Sequence, residues 1–227
     1  TPTRGILFVG APGTGKTQTV RHLLRRYREA ERFVFVIEGP QGPDSRALDF
    51  TTLVQSVCQA KEAAIVVLED IDRIIESGIV APSFLLNVLD GLFEPTKPVL
   101  WIATSNDPTQ LEDNLLDRPG RFDRVFVFRR LAEPERARLI MRYSPWPVES
   151  SVVEEIASQS DGLTGAHIRE VCYSAAISVA EHPADYALAL RRELERVYEQ
   201  HRSSRNYHSV IKAERGIGFG ARRIGHE

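Results

Sequence analysis

Cysteine is nearly absent from this chain. Two residues, Cys58 and Cys172, among 227 cannot build a disulfide framework and have no metal-ligand spacing, which argues against a secreted disulfide scaffold and a structural zinc site. A reducing, cytoplasmic compartment is the expected setting. Long apolar runs are missing too. The longest aliphatic stretch, Ala63 to Leu68, is far short of the roughly 20 residues that a membrane span needs, so no membrane segment is expected. The opening residues do not form a basic-then-apolar leader, and no secretory signal is expected. Charge of one sign is not in excess: 29 Lys and Arg against 31 Asp and Glu leave −2, with no global pull toward nucleic acid or anionic lipid. No H-E-x-x-H occurs, which excludes that class of zinc protease. No Asn-Lys-x-Asp occurs either, which argues against a guanine-reading site.

What remains is ordinary globular material, 42% hydrophobic and 26% charged, close to the soluble average. At roughly 150 residues per domain, the length fits one large domain with a small appendage. Thr1-Pro2-Thr3-Arg4 leads straight into Gly5–Val9, an apolar run that reads as a buried strand, so a domain cut from a longer chain is expected. Similar runs follow at Phe33–Ile37, Ile65–Leu68, Val99–Ala103 and Val125–Phe128, with helix-period segments at Lys16–Arg28, Ser45–Lys61 and Pro82–Phe93 between them. This alternation predicts an α/β fold, a parallel sheet covered by helices on both faces, over residues 1–130. After Arg129 only helical stretches appear: Pro134–Tyr143, Ser151–Ser160, Gly165–Glu181 and Ala184–Gln200. They predict a small all-helical domain over 131–200, with a capping box at Ser151-Val152-Val153-Glu154. From 201 to 227 the glycines and a basic excess, six Lys and Arg against two Glu from Arg202 onward, predict a flexible tail.

The sharpest motif is Gly10-Ala11-Pro12-Gly13-Thr14-Gly15-Lys16-Thr17, a full G-x-x-x-x-G-K-[ST] between a strand and a helix. Gly13 and Gly15 allow backbone N–H groups to turn inward around phosphate oxygens. The following helix adds its positive N-terminal end. Lys16 supplies charge for the outer phosphates, and the Thr17 hydroxyl is placed to ligate Mg²⁺. ATP and Mg²⁺ are therefore the expected ligands, with Gly10 through Gln18 as the binding stretch.

A further buried strand, Ile65–Leu68, ends in Glu69-Asp70-Ile71-Asp72. With this acidic pair downstream of the phosphate loop, the chain resembles the AAA subgroup of the AAA+ ATPases, a phosphate-loop NTPase sheet followed by a helical lid. The family order is Asp-Glu; here it is Glu69-Asp70, an order that resembles the mitochondrial respiratory-complex assembly branch and some bacterial relatives. By position Glu69, with Thr17, would hold the metal and its water, and Asp70 would polarise the attacking water. Asp72 reads as a helix-start or structural group.

Further stretches carry the same resemblance. Val99–Asn106 is similar to the family's first sensor, with Asn106 on the attacking water or terminal phosphate. Leu115-Leu116-Asp117-Arg118-Pro119-Gly120-Arg121-Phe122-Asp123-Arg124 is similar to its second region of homology. That likeness implies that Arg118 and Arg121 act as fingers on a neighbouring subunit's nucleotide, within a homo-oligomeric ring, usually of six. Gly162–Ala176 resembles the stretch that sets Gly165 and Ala166 near ribose and adenine. His167 stands there in place of an Asp, and reads as a helix N-cap or surface residue. Tyr143 falls where relatives often place an adenine-contacting His, with core packing as the alternative role, and Cys172 reads as core. The region after the second strand, Glu38–Ser45, has no aromatic residue, which argues against threading by aromatic pore loops. The resemblance implies an ATPase that remodels a protein substrate of unknown identity; nucleic acid is not the expected partner. The alternative is a nucleotide-gated assembly module with slow or no hydrolysis, which the acid swap motivates.

Overall fold

Five apolar runs become five strands, β1 (Thr3–Val9), β2 (Phe33–Glu38), β3 (Ala64–Glu69), β4 (Val99–Ser105) and β5 (Arg124–Val127). The computed structural model describes residues 3–27, 33–38, 50–78, 80–89, 95–107 and 122–216, with backbone alone for 38, 82, 86 and 204–216. The strands form one sheet in the order β2-β3-β4-β1-β5, and every pairing is parallel. The chain divides into two compact units, Thr1–Arg130 and Leu131–Glu227.

Strand alternation explains why the central runs are continuously apolar. Leu7, Val9, Val66, Leu68, Trp101 and Ala103 point into one core cluster, which also takes Val54, Ile71 and Leu85. Their neighbours Phe8, Ile65, Val67 and Ile102 point into a second cluster with Val20. Successive side chains of a strand face opposite ways, so a strand in the middle of a covered sheet must be apolar at every position. Edge strand β5 departs from the expected two-sided burial. Val125, Phe126 and Val127 keep 43%, 45% and 63% of their surface exposed, although Phe126 lies edge-on to Phe8 with ring centroids 5.7 Å apart.

The helices of this unit are α1 (Lys16–Tyr27), α2 (Phe50–Cys58), α3 (Ile71–Glu76) and α4 (Pro82–Leu89). Helix α3 is absent from the helix-period segments, although Asp72, read as a helix-start or structural group, lies in its first turn. It follows β3 after a single residue, too short for a helical period to show.

The second unit contains α5 (Glu133–Tyr143), α6 (Ser150–Gln159), α7 (Gly165–Ser178), a 3₁₀ turn at Pro183–Asp185 and α8 (Tyr186–Gly216). Its core gathers Ile140, Ile156, Leu163, Ile168, Cys172 and Leu190. Buried Arg136 ties that core together, donating to the carbonyls of Ala157 and Leu131 at 2.8 Å each and to Asp161 at 3.1 Å. Burial pushes the Cys172 thiol up to about 11, which suits packing and not thiolate chemistry.

Two expectations for this unit need correction. The capping box at Ser151–Glu154 does not form: α6 begins one residue earlier, with Glu149 at the N-cap and no side-chain cap bond. Ser151 therefore lies within the first turn, where its hydroxyl is no longer at the cap. The boundary at 200 falls inside α8, which continues to Gly216. The glycines that suggested a flexible tail all lie at 216 or beyond, and 201–215 contains neither Gly nor Pro to stop a helix.

His167 is not an N-cap but the third residue of α7. Its Nδ1 accepts the N–H of Thr164 at 3.1 Å, and its ring meets that of His201 at 4.8 Å. Burial, then the neighbouring His201, hold its pKa below the ordinary 6.5. A base whose folded pKa is depressed contributes full stability above its unfolded pKa and loses it as pH falls through the folded one. Protonated Nδ1 would also turn a donor toward the Thr164 N–H. The helical unit is therefore expected to lose about 1 kcal/mol, the worth of one capping bond, as pH falls below the ordinary imidazole value of 6.5 and through the lower folded one. Thermal unfolding by far-ultraviolet circular dichroism would show this loss in wild type. His167→Glu, which keeps an acceptor at the same position, should remove it.

Candidate nucleotide site

Because β1, β3 and β4 are adjacent and parallel, their C-terminal ends deliver Gly10, Glu69-Asp70 and Asn106 to one edge of the sheet. Ligand sites of open parallel sheets form beyond these ends. The loop after β1 depends on its glycines: Gly10, Gly13 and Gly15 have φ of 154°, 78° and 106°. Gly10 is also pinned by space, since a Cβ there would meet the Phe128 carbonyl oxygen at 2.3 Å and the Phe128 Cβ at 2.9 Å. Gly10→Ala is thus expected to destabilise the sheet unit by about 1–3 kcal/mol, as overpacking against fixed backbone does, measurable as a lower midpoint in urea.

Lys16, at the start of α1, is 5% exposed. Its ammonium donates to the Gly10 carbonyl at 2.6 Å, the Ala11 carbonyl at 3.1 Å and Asn106 Oδ1 at 2.8 Å. Three acceptors match the three donors of an ammonium. Burial lowers its pKa, and the Asp70 and Asp72 carboxylates oppose that shift. Thr14 Oγ1 donates back to the Ala11 carbonyl at 2.7 Å and closes the loop. Ala11, Pro12, Gly13 and Gln18 are exposed.

Asn106 is the junction. Its Oδ1 takes the Lys16 donor and its Nδ2 donates to Asp70 Oδ1 at 2.7 Å. An ammonium can only donate and a carboxylate only accept, so the orientation of the amide is determined. Beside this chain, Thr17 Oγ1 donates to Glu69 Oε2 at 3.0 Å. Asp72 is buried in the first turn of α3, where its Oδ2 accepts the Asn106 N–H at 3.4 Å and its carboxylate also receives the Asp107 N–H. Burial raises the Asp72 pKa, and these backbone bonds counter it. Its Oδ1 has no hydrogen-bond partner among the described residues.

The structure thus brings together Lys16, Thr17, Glu69, Asp70 and Asn106. Arg118, Arg121 and the segment 39–45 lie outside the described residues. Tyr143, Gly165 and Ala166 belong to the helical unit, where Tyr143 packs edge-on to Tyr173 at 5.8 Å and Gly165 and Ala166 open α7. Two contributors went unread in the sequence: Asp72 as a partner of the Asn106 backbone, and Thr104, whose Oγ1 accepts the Asp70 N–H at 2.9 Å. The only local signal for Thr104 was a polar residue at a fully buried strand position.

The residues suit a nucleotide with a hard cation. Gly10, Gly13 and Gly15 carry no Cβ where the loop turns, and the Thr17 hydroxyl and Glu69 carboxylate are oxygen donors of the kind Mg²⁺ takes. Among the described residues no three His, Cys, Asp or Glu side chains cluster as a metal site of their own, and no helix is long and apolar enough to cross a membrane.

The family model for the ATPase family associated with various cellular activities (AAA) matches residues 6–130, more than half of the chain. The chain belongs to the AAA family. Membership of this ATPase family implies nucleotide binding at the site just described. Curated relatives include the ATPase family gene 2 protein of Schizosaccharomyces pombe, 28% identical over 190 residues, 78% of this chain and 23% of that protein. Human ATPase family AAA domain-containing protein 2 is 30% identical over 220 residues, 87% of this chain and 14% of that protein. The ATPase histone chaperone YTA7 of Saccharomyces cerevisiae is 30% identical over 198 residues, 78% and 14% of the two chains. The AAA chain spans less than a quarter of the length of each of these relatives. The crystal structure of the FIGL-1 AAA domain in complex with ADP shares its fold, with a TM-score of 0.63 at 18% identity over 86% of this chain and 72% of that one.

Proposed function

We propose that this AAA chain hydrolyses ATP with Mg²⁺ and uses the cycle to remodel a protein substrate or complex, as a homo-oligomeric ring, six-membered by family habit, with Arg118 and Arg121 acting on the neighbouring subunit's nucleotide. One observation carries the hydrolytic part: Lys16, Asn106 and Asp70 form an unbroken hydrogen-bonded chain from the phosphate loop to a carboxylate. Asp70 is the group to accept a proton from water, Asn106 orients it, and Lys16 holds the charge of the outer phosphates. Thr17 and Glu69 are the residues to hold Mg²⁺, which when bound would neutralise phosphate charge. A protein substrate is the class that relatives named as histone chaperones support.

The test is phosphate release by the full-length protein across a range of protein concentrations. Turnover per subunit that rises with concentration supports an active ring. Tight ATP binding with negligible turnover would instead favour a nucleotide-gated assembly module. No turnover, with Lys16→Ala indistinguishable from wild type in nucleotide binding, would sink both.

A further inference from the structure

We infer that Thr104 is a positioning residue for hydrolysis, whose buried hydroxyl holds Asp70 in a left-handed turn and thereby fits the shorter acid of the swapped pair to its place beside Asn106. The inference rests on the proposed ATPase reading and names the device that lets the Glu69-Asp70 order work.

Asp70 is the one described non-glycine residue with positive φ, at φ 51° and ψ 58°. Asp tolerates that region better than most residues, yet it remains a local cost, and such costs persist where surrounding structure fixes them. Here the fixing contact is visible. The β3–β4 register ends at Leu68 opposite Ala103, and just past it the Asp70 N–H is taken by the Thr104 hydroxyl at 2.9 Å. Thr104 is fully buried, so that acceptor has a fixed position.

The turn changes what Asp70 does. It occupies the N-cap of α3, where its carbonyl accepts the N–H groups of Arg73 and Ile74 at 2.9 and 3.1 Å. An Asp at that position ordinarily uses its carboxylate to cap the first turn, but no side-chain cap bond is made. The carboxylate instead meets Asn106 Nδ2 at 2.7 Å, with exposed Arg73 more distant at 3.9 Å. Asp70 gives up capping for a place in the site, and Thr104 supplies the contact that fixes its backbone. The neighbouring acid completes the logic: Glu69, the longer of the two, is the one that reaches across to Thr17.

Thr104→Val keeps the shape and removes the acceptor; Thr104→Ser keeps the acceptor. In the full-length protein, Thr104→Val is expected to lower kcat by about tenfold or more, as misplacement of a reacting group does, with affinity for a non-hydrolysable ATP analogue within about twofold of wild type. Thr104→Ser should recover most of that loss. In crystals of Thr104→Val, residue 70 should leave the left-handed region. Wild-type kcat in Thr104→Val, equal damage from Ser and Val, or a residue 70 that stays left-handed in Thr104→Val would each overturn the proposal. If Thr104→Val does not fold, Thr104→Ala removes the same acceptor and is read by the same criteria. Were wild type itself inactive, the ATPase reading would fail, while the conformation of residue 70 in the variant crystal would still decide the role of Thr104.

Discussion

Lys16→Ala is expected to weaken nucleotide binding by about 100-fold or more and to leave no measurable turnover even at saturating ATP. Charge-assisted hydrogen bonds are worth about 1.5–3 kcal/mol each, and an ammonium facing the outer phosphates makes more than one. The loss at saturation has a second origin. In the folded site the same ammonium holds Asn106 Oδ1 at 2.8 Å, while the amide's other end holds Asp70. Without a donor on that oxygen the amide is free to turn, and Asp70 loses the group that aligns it. Lys16→Met, which keeps the stem and removes the charge, should behave like Lys16→Ala. Titration with a fluorescent ATP analogue alongside phosphate release separates the two effects. Wild-type affinity in Lys16→Ala would show that the loop does not hold phosphate.

Much of this site was legible because its residues are sequential. Gly10–Thr17 is one uninterrupted motif, and the runs Ile65–Leu68 and Val99–Ala103, upstream of Glu69 and Asn106, are apolar at every position, which for a strand means burial on both faces. The structure places their ends together because β1, β3 and β4 are neighbours. What escaped notice depends on contacts across strands. Nothing local to Ala103-Thr104-Ser105 reveals that one hydroxyl will meet the backbone N–H just past β3, and in Ile71–Glu76 only Asp72 hints at a helix, one that starts a single residue after a strand. Asp72 reads as an ordinary first-turn acid until its bond to the Asn106 backbone is seen. The continuation of α8 past residue 200 was missed for another reason. The basic and glycine-rich composition of 201–227 is uneven: the glycines begin only at 216, where the helix ends.

Restoring the usual family order by the double substitution Glu69→Asp/Asp70→Glu is expected to lower kcat, not raise it. Each acid already spans the distance its position demands. Glu69 meets the Thr17 hydroxyl at 3.0 Å, and an Asp there is one methylene short of it. Asp70 meets Asn106 at 2.7 Å from a left-handed backbone, and a Glu there must fold its extra methylene into the space where water should stand, on a residue that tolerates that backbone less well. The two errors do not cancel, because they lie on different partners. Misplacement of about 1 Å can cost on the order of 100-fold, so the double variant should fall by at least that factor at saturating ATP, with each single variant intermediate. Phosphate release under single-turnover conditions measures the step directly, free of product dissociation. An increase in the double variant would mean that the shorter acid at residue 70 is the impairment. The chain would then be read as a nucleotide-gated assembly module whose hydrolysis is slow by construction.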